Sequence, residues 1–149
     1  IMFNHSFEHL FNPLKVLKYI SSLLINGGIC LIRIPIVSSF AWRYYKEDWV
    51  KLDAPRHFFL PTIKTMEILS KKSNLIIKKI IYDSNESTFW GSEQYRKGIP
   101  LFSQKSYLIN PFCSNFTSKQ IKSFKKSAII LNRQNQGDEI CIYLQKSKK

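Results

Sequence analysis

The order of apolar and polar residues near the start of the chain predicts a strand, a helix and a second strand. Residues 1–4 are mostly apolar and indicate the end of a strand. A helix is predicted to begin at Asn12-Pro13, because asparagine can cap free backbone amides and proline is well tolerated at the first helical position. Apolar residues then follow at helical spacing: Leu14, Leu17, Ile20 and Leu24. We expect Asn26-Gly27-Gly28 to end this helix, because glycine accepts a left-handed backbone. The apolar run over residues 29–35 predicts a central strand, which completes a crossover unit.

The pattern after residue 60 predicts a second helix, an edge strand and a final strand. The helix begins at Pro61-Thr62, with Ile63, Met66 and Leu69 on its apolar face. Residues 75–83 indicate a strand whose two lysines favour a sheet edge. Residues 84–136 are rich in aromatic side chains and hold one helical stripe: Ile121, Phe124, Ala128 and Leu131. An apolar strand over residues 139–144 follows Gly137.

Composition places the chain among globular proteins. It has 149 residues, of which 44% are hydrophobic, and this is enough apolar material for the core of one domain. Its longest apolar stretch falls short of the roughly 20 residues of a membrane span. The three cysteines are far apart and two lie in apolar runs, so we predict reduced thiols and a cytoplasmic protein.

The formal charge of +13 leaves a nucleic-acid partner open. Most of the positive charge is lysine and is scattered along the chain, which favours a solvated basic surface. Denser patches occur only at residues 119–126 and in the tail at Lys146, Lys148 and Lys149.

Several motifs, in this order, resemble class I S-adenosylmethionine-dependent methyltransferases. Residues 4–13 resemble the EHL-x-x-P stretch that follows the fourth strand of that family. Residues 24–32 resemble its L-x-x-G-G-x-L-x-I turn and fifth strand, and residues 54–59 resemble the H-x-x-x-F stretch before its last helix. The resemblance covers roughly residues 1–83 and 137–146.

The resemblance implies an α/β fold: a partial doubly wound, Rossmann-like, mostly parallel sheet with flanking helices. Residues 1–149 would be one partial domain, with a core of residues 1–83 and 137–149 and an aromatic-rich insertion at residues 84–136. The implied activity is methyl transfer to a small-molecule acceptor, with S-adenosylmethionine as the cofactor of the complete domain.

The sequence also departs from the family pattern. The glycine-rich turn after the family's first strand is missing, and so is the acidic residue after its second strand. That turn lets backbone amides approach the cofactor closely. The sequence starts at Ile1 inside an apolar run, so we expect either that upstream sequence is missing or that the chain is a degenerate remnant. In both cases this fragment alone is expected to be inactive, and a non-catalytic binding module is the alternative function. A nucleic-acid methyltransferase or an RNA-binding module is a further alternative.

If the family pattern transfers, ligands lie at the carboxyl ends of the strands. The predicted cofactor residues, just past the first strand, are Asn4, His5 and Ser6. The predicted substrate residues lie in the polar and aromatic stretch that follows the central strand: Arg43, Tyr44, Trp49, Asp53 and Arg56. An oxygen or nitrogen acceptor can require removal of a proton, which His57, His5 or Glu8 could accept; His57 is the predicted catalytic base.

Residues 5–9 also match H-x-x-E-H, a zinc-protease motif. That chemistry requires both histidines on one helical face. His5 leaves a predicted strand and the next helix is predicted only from Asn12, so we predict no metal site from this motif.

Overall fold

A computed structural model describes residues 1–147, which form a four-stranded sheet with flanking helices. The strands are β1 (Met2–Asn4), β2 (Ile29–Pro35), β3 (Leu75–Tyr82) and β4 (Glu139–Lys146). Their spatial order is β1-β2-β4-β3. β1 and β2 are parallel, whereas β4 runs antiparallel to both of its neighbours. Three strands therefore point the same way, which confirms the predicted mostly parallel α/β sheet, and β3 lies at an edge as its lysines indicated.

Side-chain caps mark the start of most of the helices. They are α1 (Pro13–Leu23), α2 (Phe40–Tyr45), α3 (Ile63–Lys72), α4 (Ser87–Arg96) and α5 (Ser118–Arg133). Asn12 Oδ1 accepts a hydrogen bond from the amide of Lys15 at 3.0 Å, as the Asn-Pro motif predicted. Thr62 caps α3 in the same way, and Thr117 forms a capping box with Gln120 at the start of α5.

The glycine pair does not end α1, contrary to our expectation. The helix ends at Leu23, and Leu24 already has an extended backbone. Gly27, with φ of +79°, instead makes the turn into β2. The left-handed backbone conformation is therefore needed four residues after the last residue of the helix.

Two apolar clusters hold the elements together. In the first, alternate residues of β2 and β4 (Cys30, Ile32, Ile34, Ile140, Ile142 and Leu144) are fully buried against α1 and α3. The second joins α2, α4 and α5 through Tyr45, Trp49, Phe89 and Ala128. The predicted stripe of α5 packs onto this second cluster through Phe124, Ala128 and Leu131.

Residues 84–136 connect β3 to β4 and contain α4 and α5. Their status as an insertion into the domain stays a prediction. Within residues 1–147, no helix combines the length and the apolarity needed to cross a bilayer.

Candidate active site at the carboxyl edge of the sheet

Charged residues converge at one edge of the sheet because of the strand directions. β1, β2 and β3 all end there, and the antiparallel β4 begins there. His5 follows β1, Asp83 follows β3, and Glu139 is the first residue of β4. Arg33 lies near the end of β2, paired in register with Cys141 of β4. The carboxyl edge therefore carries acidic and basic groups from all four strands.

Glu139 is the centre of this charge network. Its side chain is only 3% exposed, and Oε1 lies 2.6 Å from Arg33 Nη2 and 3.3 Å from His5 Nε2. Lys51 Nζ contacts Oε2. Burial by itself would raise the pKa of the Glu139 carboxyl, but the hydrogen bond from His5 and the charge of Lys51 outweigh it and lower the pKa to about 2. Glu139 is therefore a buried carboxylate that stays ionised.

His5 is a cation in this network at neutral pH. Its contacts with Glu139, and next with Glu8, raise the pKa of the imidazole to about 9, although partial burial opposes the change. Its backbone has φ of +48°, an uncommon conformation for a residue with a side chain. The His5 amide donates to the carbonyl of Arg33 at 3.1 Å, which fixes the turn at the end of β1.

Asp138 connects the edge to the second apolar cluster. The indole N–H of Trp49 donates to Asp138 Oδ2 at 2.8 Å, and the Thr88 hydroxyl donates to Oδ1 at 2.8 Å. Ser84 Oγ accepts the amides of both Asp138 and Glu139, at 2.7 and 3.0 Å. These bonds position the start of β4, and with it both carboxylates.

A second group, the histidine–glutamate cluster, consists of Glu8, His9 and His57. Glu8 is fully buried in a 3-10 turn (Phe7–His9), and its backbone carbonyl accepts the amides of Phe58 and Phe59. Both carboxylate oxygens of Glu8 are buried without a hydrogen-bond partner among the described residues. One ligand atom from each member of the cluster lies within 4.8 Å of those from the other two.

His57 presents a free lone pair to this cluster. Its Nδ1 lies 2.9 Å from the carbonyl of Lys51, a distance at which Nδ1–H donates and Nε2 stays unprotonated in the neutral ring. Nε2 lies 3.9 Å from Glu8 Oε1 and 3.7 Å from Asp53 Oδ2. Nε2 of His57 therefore lies between two carboxylates at the carboxyl edge of the sheet.

Asp53 and Arg56 flank His57. Asp53 has φ of +43°, and its Oδ1 accepts from Arg56 Nη2 at 2.6 Å and Nε at 3.1 Å. Uncommon backbone conformations such as those of His5 and Asp53 persist only where surrounding structure holds them, and they cluster at functional sites.

Solved methyltransferase structures share this arrangement of elements. A putative sarcosine dimethylglycine methyltransferase from Galdieria sulphuraria superposes with a TM-score of 0.50 at 14% identity, over 98% of this chain and 51% of that one. A SAM-dependent methyltransferase from Archaeoglobus fulgidus gives 0.52 at 16% identity, over 97% and 57%. The cyclopropane synthase MmaA2 from Mycobacterium tuberculosis gives 0.51 at 16% identity, over 98% and 54%.

The chain has the fold of part of these methyltransferase structures, an α/β sheet with flanking helices. It spans about half the length of these solved structures. No protein-family model matches the sequence, and no curated protein matches it significantly.

In this methyltransferase fold, several predicted site residues come together. Asn4, His5 and Ser6 lie at the end of β1, and Asp53, Arg56 and His57 lie close by, linked to them through Glu8. The predicted roles of these residues in binding and catalysis stay predictions.

The remaining predicted substrate residues contact other parts of the chain. Arg43 donates to Gln136, and the exposed Tyr44 lies under the guanidinium of Arg96 beside an aromatic pocket. Trp49 is completely buried and packs against Trp42. Its place in the structure is that of a core residue that positions Asp138.

Sequence reasoning missed most of the charge network. The apolar pattern of residues 29–35 places Arg33 only within a strand. It gives no role to Lys51, Asp138 or Glu139. One signal was present: charged residues inside or beside apolar strand runs are almost never buried without partners. Their partners come from segments distant in sequence, so the pairs could not be named from the sequence.

Proposed function

We propose that the chain forms the acceptor-binding part of a methyltransferase domain that transfers a methyl group from S-adenosylmethionine to a small molecule. The observation that carries this proposal is the position of His57 at the carboxyl edge of a methyltransferase fold, with Nδ1 2.9 Å from the Lys51 carbonyl and Nε2 directed toward Glu8 and Asp53. In open α/β sheets this edge is where ligands bind. The three free cysteines support our further proposal of a reducing, cytoplasmic location.

Asn4, His5 and Ser6 are the proposed cofactor contacts. All three are exposed; Asn4 is the last residue of β1, and His5 and Ser6 follow it. Methyl transfer is a displacement at a sulfonium carbon, and alignment of donor and acceptor provides most of its acceleration. A turn held by the His5–Arg33 backbone hydrogen bond and the His5–Glu139 ion pair is suited to such alignment.

His57 is the proposed general base for the acceptor. With Nδ1–H held by the Lys51 carbonyl, Nε2 can accept the proton of an acceptor hydroxyl or amine. Asp53, 3.7 Å from Nε2, would stabilise the imidazolium that forms. Arg56, Arg43 and Tyr44 are proposed acceptor contacts, and Trp49 contributes by holding Asp138 in place.

An assay of the complete reading frame that contains these residues tests the proposal. We expect transfer of labelled methyl groups from S-adenosylmethionine to a member of a broad small-molecule panel. His57→Gln should lower kcat/KM on the order of 100-fold, because the base is lost. Glu67→Gln, on the exposed face of α3, is the matched control and should leave the rate unchanged. An absence of transfer across the panel would contradict the proposal.

A nucleic-acid substrate is the second candidate, and one observation favours it. The exposed face of α5 carries Lys119, Lys122, Lys125 and Lys126. Such a face can neutralise phosphates, and its affinity would fall steeply with salt. Binding of a short RNA that weakens by orders of magnitude between low and moderate salt would support this candidate. Binding that is absent or insensitive to salt would remove it.

A further inference from the structure

We infer that Glu8, His9 and His57 form a binding site for a divalent transition-metal ion. The three residues come from two distant segments, the 3-10 turn after β1 and the loop before α3. The fold brings one ligand atom of each within 4.8 Å of the other two. The site is distinct from the H-x-x-E-H reading of the sequence, because His57 takes the place of His5 in the ligand set.

The hydrogen bonds of both imidazoles fit the tautomer that a metal site requires. His9 Nδ1 lies 2.8 Å from the carbonyl of Arg56, and His57 Nδ1 lies 2.9 Å from the carbonyl of Lys51. When Nδ1–H donates to a carbonyl, Nε2 keeps its lone pair, and metal-binding histidines almost always have such a partner for their other nitrogen. The two carbonyls therefore orient both rings before any ion arrives.

Glu8 supplies the negative charge. Its side chain is buried, and neither carboxylate oxygen has a hydrogen-bond partner among residues 1–147. His5 Nδ1 is 3.5 Å away and His57 Nε2 is 3.9 Å away, so the nearest polar groups stand at ion-pair distances. A buried carboxylate is costly unless something satisfies it, and a bound cation would do so.

The donor set indicates the class of metal. Two imidazoles and one carboxylate suit Zn²⁺, Fe²⁺ or Co²⁺ better than Mg²⁺, which prefers oxygen ligands. Three protein ligands leave a coordination position open, as in catalytic zinc sites. A tetrahedral ion with bonds of about 2 Å holds its ligand atoms roughly 3.3 Å apart, so the cluster must contract slightly on binding.

His9 is exposed and provides the entry path.

The existence of this site does not depend on the proposed function, but its use does. A cation here would lower the pKa of a hydroxyl placed in the open position, so the acceptor could lose its proton to water without His57 as the base. His57 Nε2 would then be a ligand, because one lone pair cannot bind a metal and a proton together.

Titration of the 149-residue chain with Co²⁺, followed by visible absorption, tests the inference. The background is a Cys113→Ser chain, because the exposed thiol of Cys113 also binds cobalt. We expect saturation at one equivalent, displacement by Zn²⁺, and at least tenfold weaker affinity in His9→Asn and in His57→Asn. His5→Asn is the matched control, since His5 is the only other histidine; its affinity should stay within threefold or increase, because a neighbouring cation is removed.

Circular dichroism melts of each variant separate loss of binding from loss of folding, and the exposed His9 is the position at which the fold should tolerate change. No cobalt spectrum, or a spectrum that both His9→Asn and His57→Asn leave intact, would overturn the inference. Metal binding without methyl transfer would instead count against the proposed function. Methyl transfer that persists in chelator, together with no cobalt binding, would remove the metal site alone.

Discussion

At the scale of single residues, the buried charged side chains lie at one edge of the sheet. Glu139 is 3% exposed and yet ionised, because Arg33, His5 and Lys51 surround it. Burying an unpaired carboxylate would cost several kcal/mol. Each of these cations offsets part of that desolvation cost. Removing one of these cations would leave the charge of Glu139 less well compensated. The position of His5 is therefore linked to the start of β4.

The acid sensitivity of the fold should reflect Glu139. Its pKa is lowered from 4.5 to about 2 in the folded chain, so its contribution to stability is complete above pH 4.5 and is lost as the pH falls through 2. This contribution is on the order of 3 kcal/mol. Urea unfolding from pH 2 to pH 5 should show the free energy of unfolding rising by that amount more in the unmodified chain than in Glu139→Gln. Equal pH dependence in the two proteins would contradict this reading.

At the scale of elements, side-chain caps decide where helices begin. The helices α1, α3 and α5 each start with an asparagine or threonine side chain that accepts a backbone amide. The polar cap satisfies one of the free amides of the first turn, and in α1 proline follows at the first position, where its missing N–H costs nothing. The signals at Asn12-Pro13 and Pro61-Thr62 were readable in the sequence, which is why the predicted starts of α1 and α3 agree with the structure.

The cap of α1 can be tested directly. Asn12→Ala removes the hydrogen bond to the Lys15 amide and should lower the free energy of unfolding by about 1 kcal/mol. Asn115→Ala, at an exposed position in the connection before α5, is the control and should change it by only a few tenths. Denaturant titrations of the two variants make the comparison. Equal effects at the two positions would show that the cap contributes nothing specific.

At the scale of the whole molecule, the sheet has an open edge at β1. Among residues 1–147, β1 pairs with β2 alone, and Ile1 and Met2 are 50% and 69% exposed. An unpaired edge with apolar side chains is a template for pairing with another chain. The opposite edge, β3, carries Lys78 and Lys79, and lysines on an edge strand discourage such pairing.

The 149-residue chain should therefore self-associate through β1. Met2→Lys places a charge on that edge and should raise the monomer fraction seen by sedimentation velocity at matched concentration. Phe11→Lys is the control: Phe11 is 84% exposed but stacks on Phe58, away from the open edge. A clean monomer in the unmodified chain, or an equal response to both substitutions, would show that the β1 edge is not responsible.

Features that depend on neighbouring residues in the sequence could be predicted, and features that depend on distant segments could not. The strands, the helices α1, α3 and α5, and the place of β3 at an edge were predicted, because apolar periodicity and caps are local signals; α4 was not predicted. Of the candidate site, His5 and His57 were named from motif order. The convergence of Glu8, His9 and His57, and the pairs of Glu139 with Arg33, His5 and Lys51, join residues from separate segments and could not be predicted.

The sequence by itself determined the element types, the helix starts, and the methyltransferase-like order of its motifs. Only the tertiary structure decided that β4 enters the sheet antiparallel between β2 and β3, because strand order depends on which edges meet after the chain has closed long loops. That placement brings the first residue of β4 to the carboxyl ends of the other strands. The buried carboxylate network therefore forms at the edge where the candidate site lies. No local sequence pattern predicts that these strand ends come together.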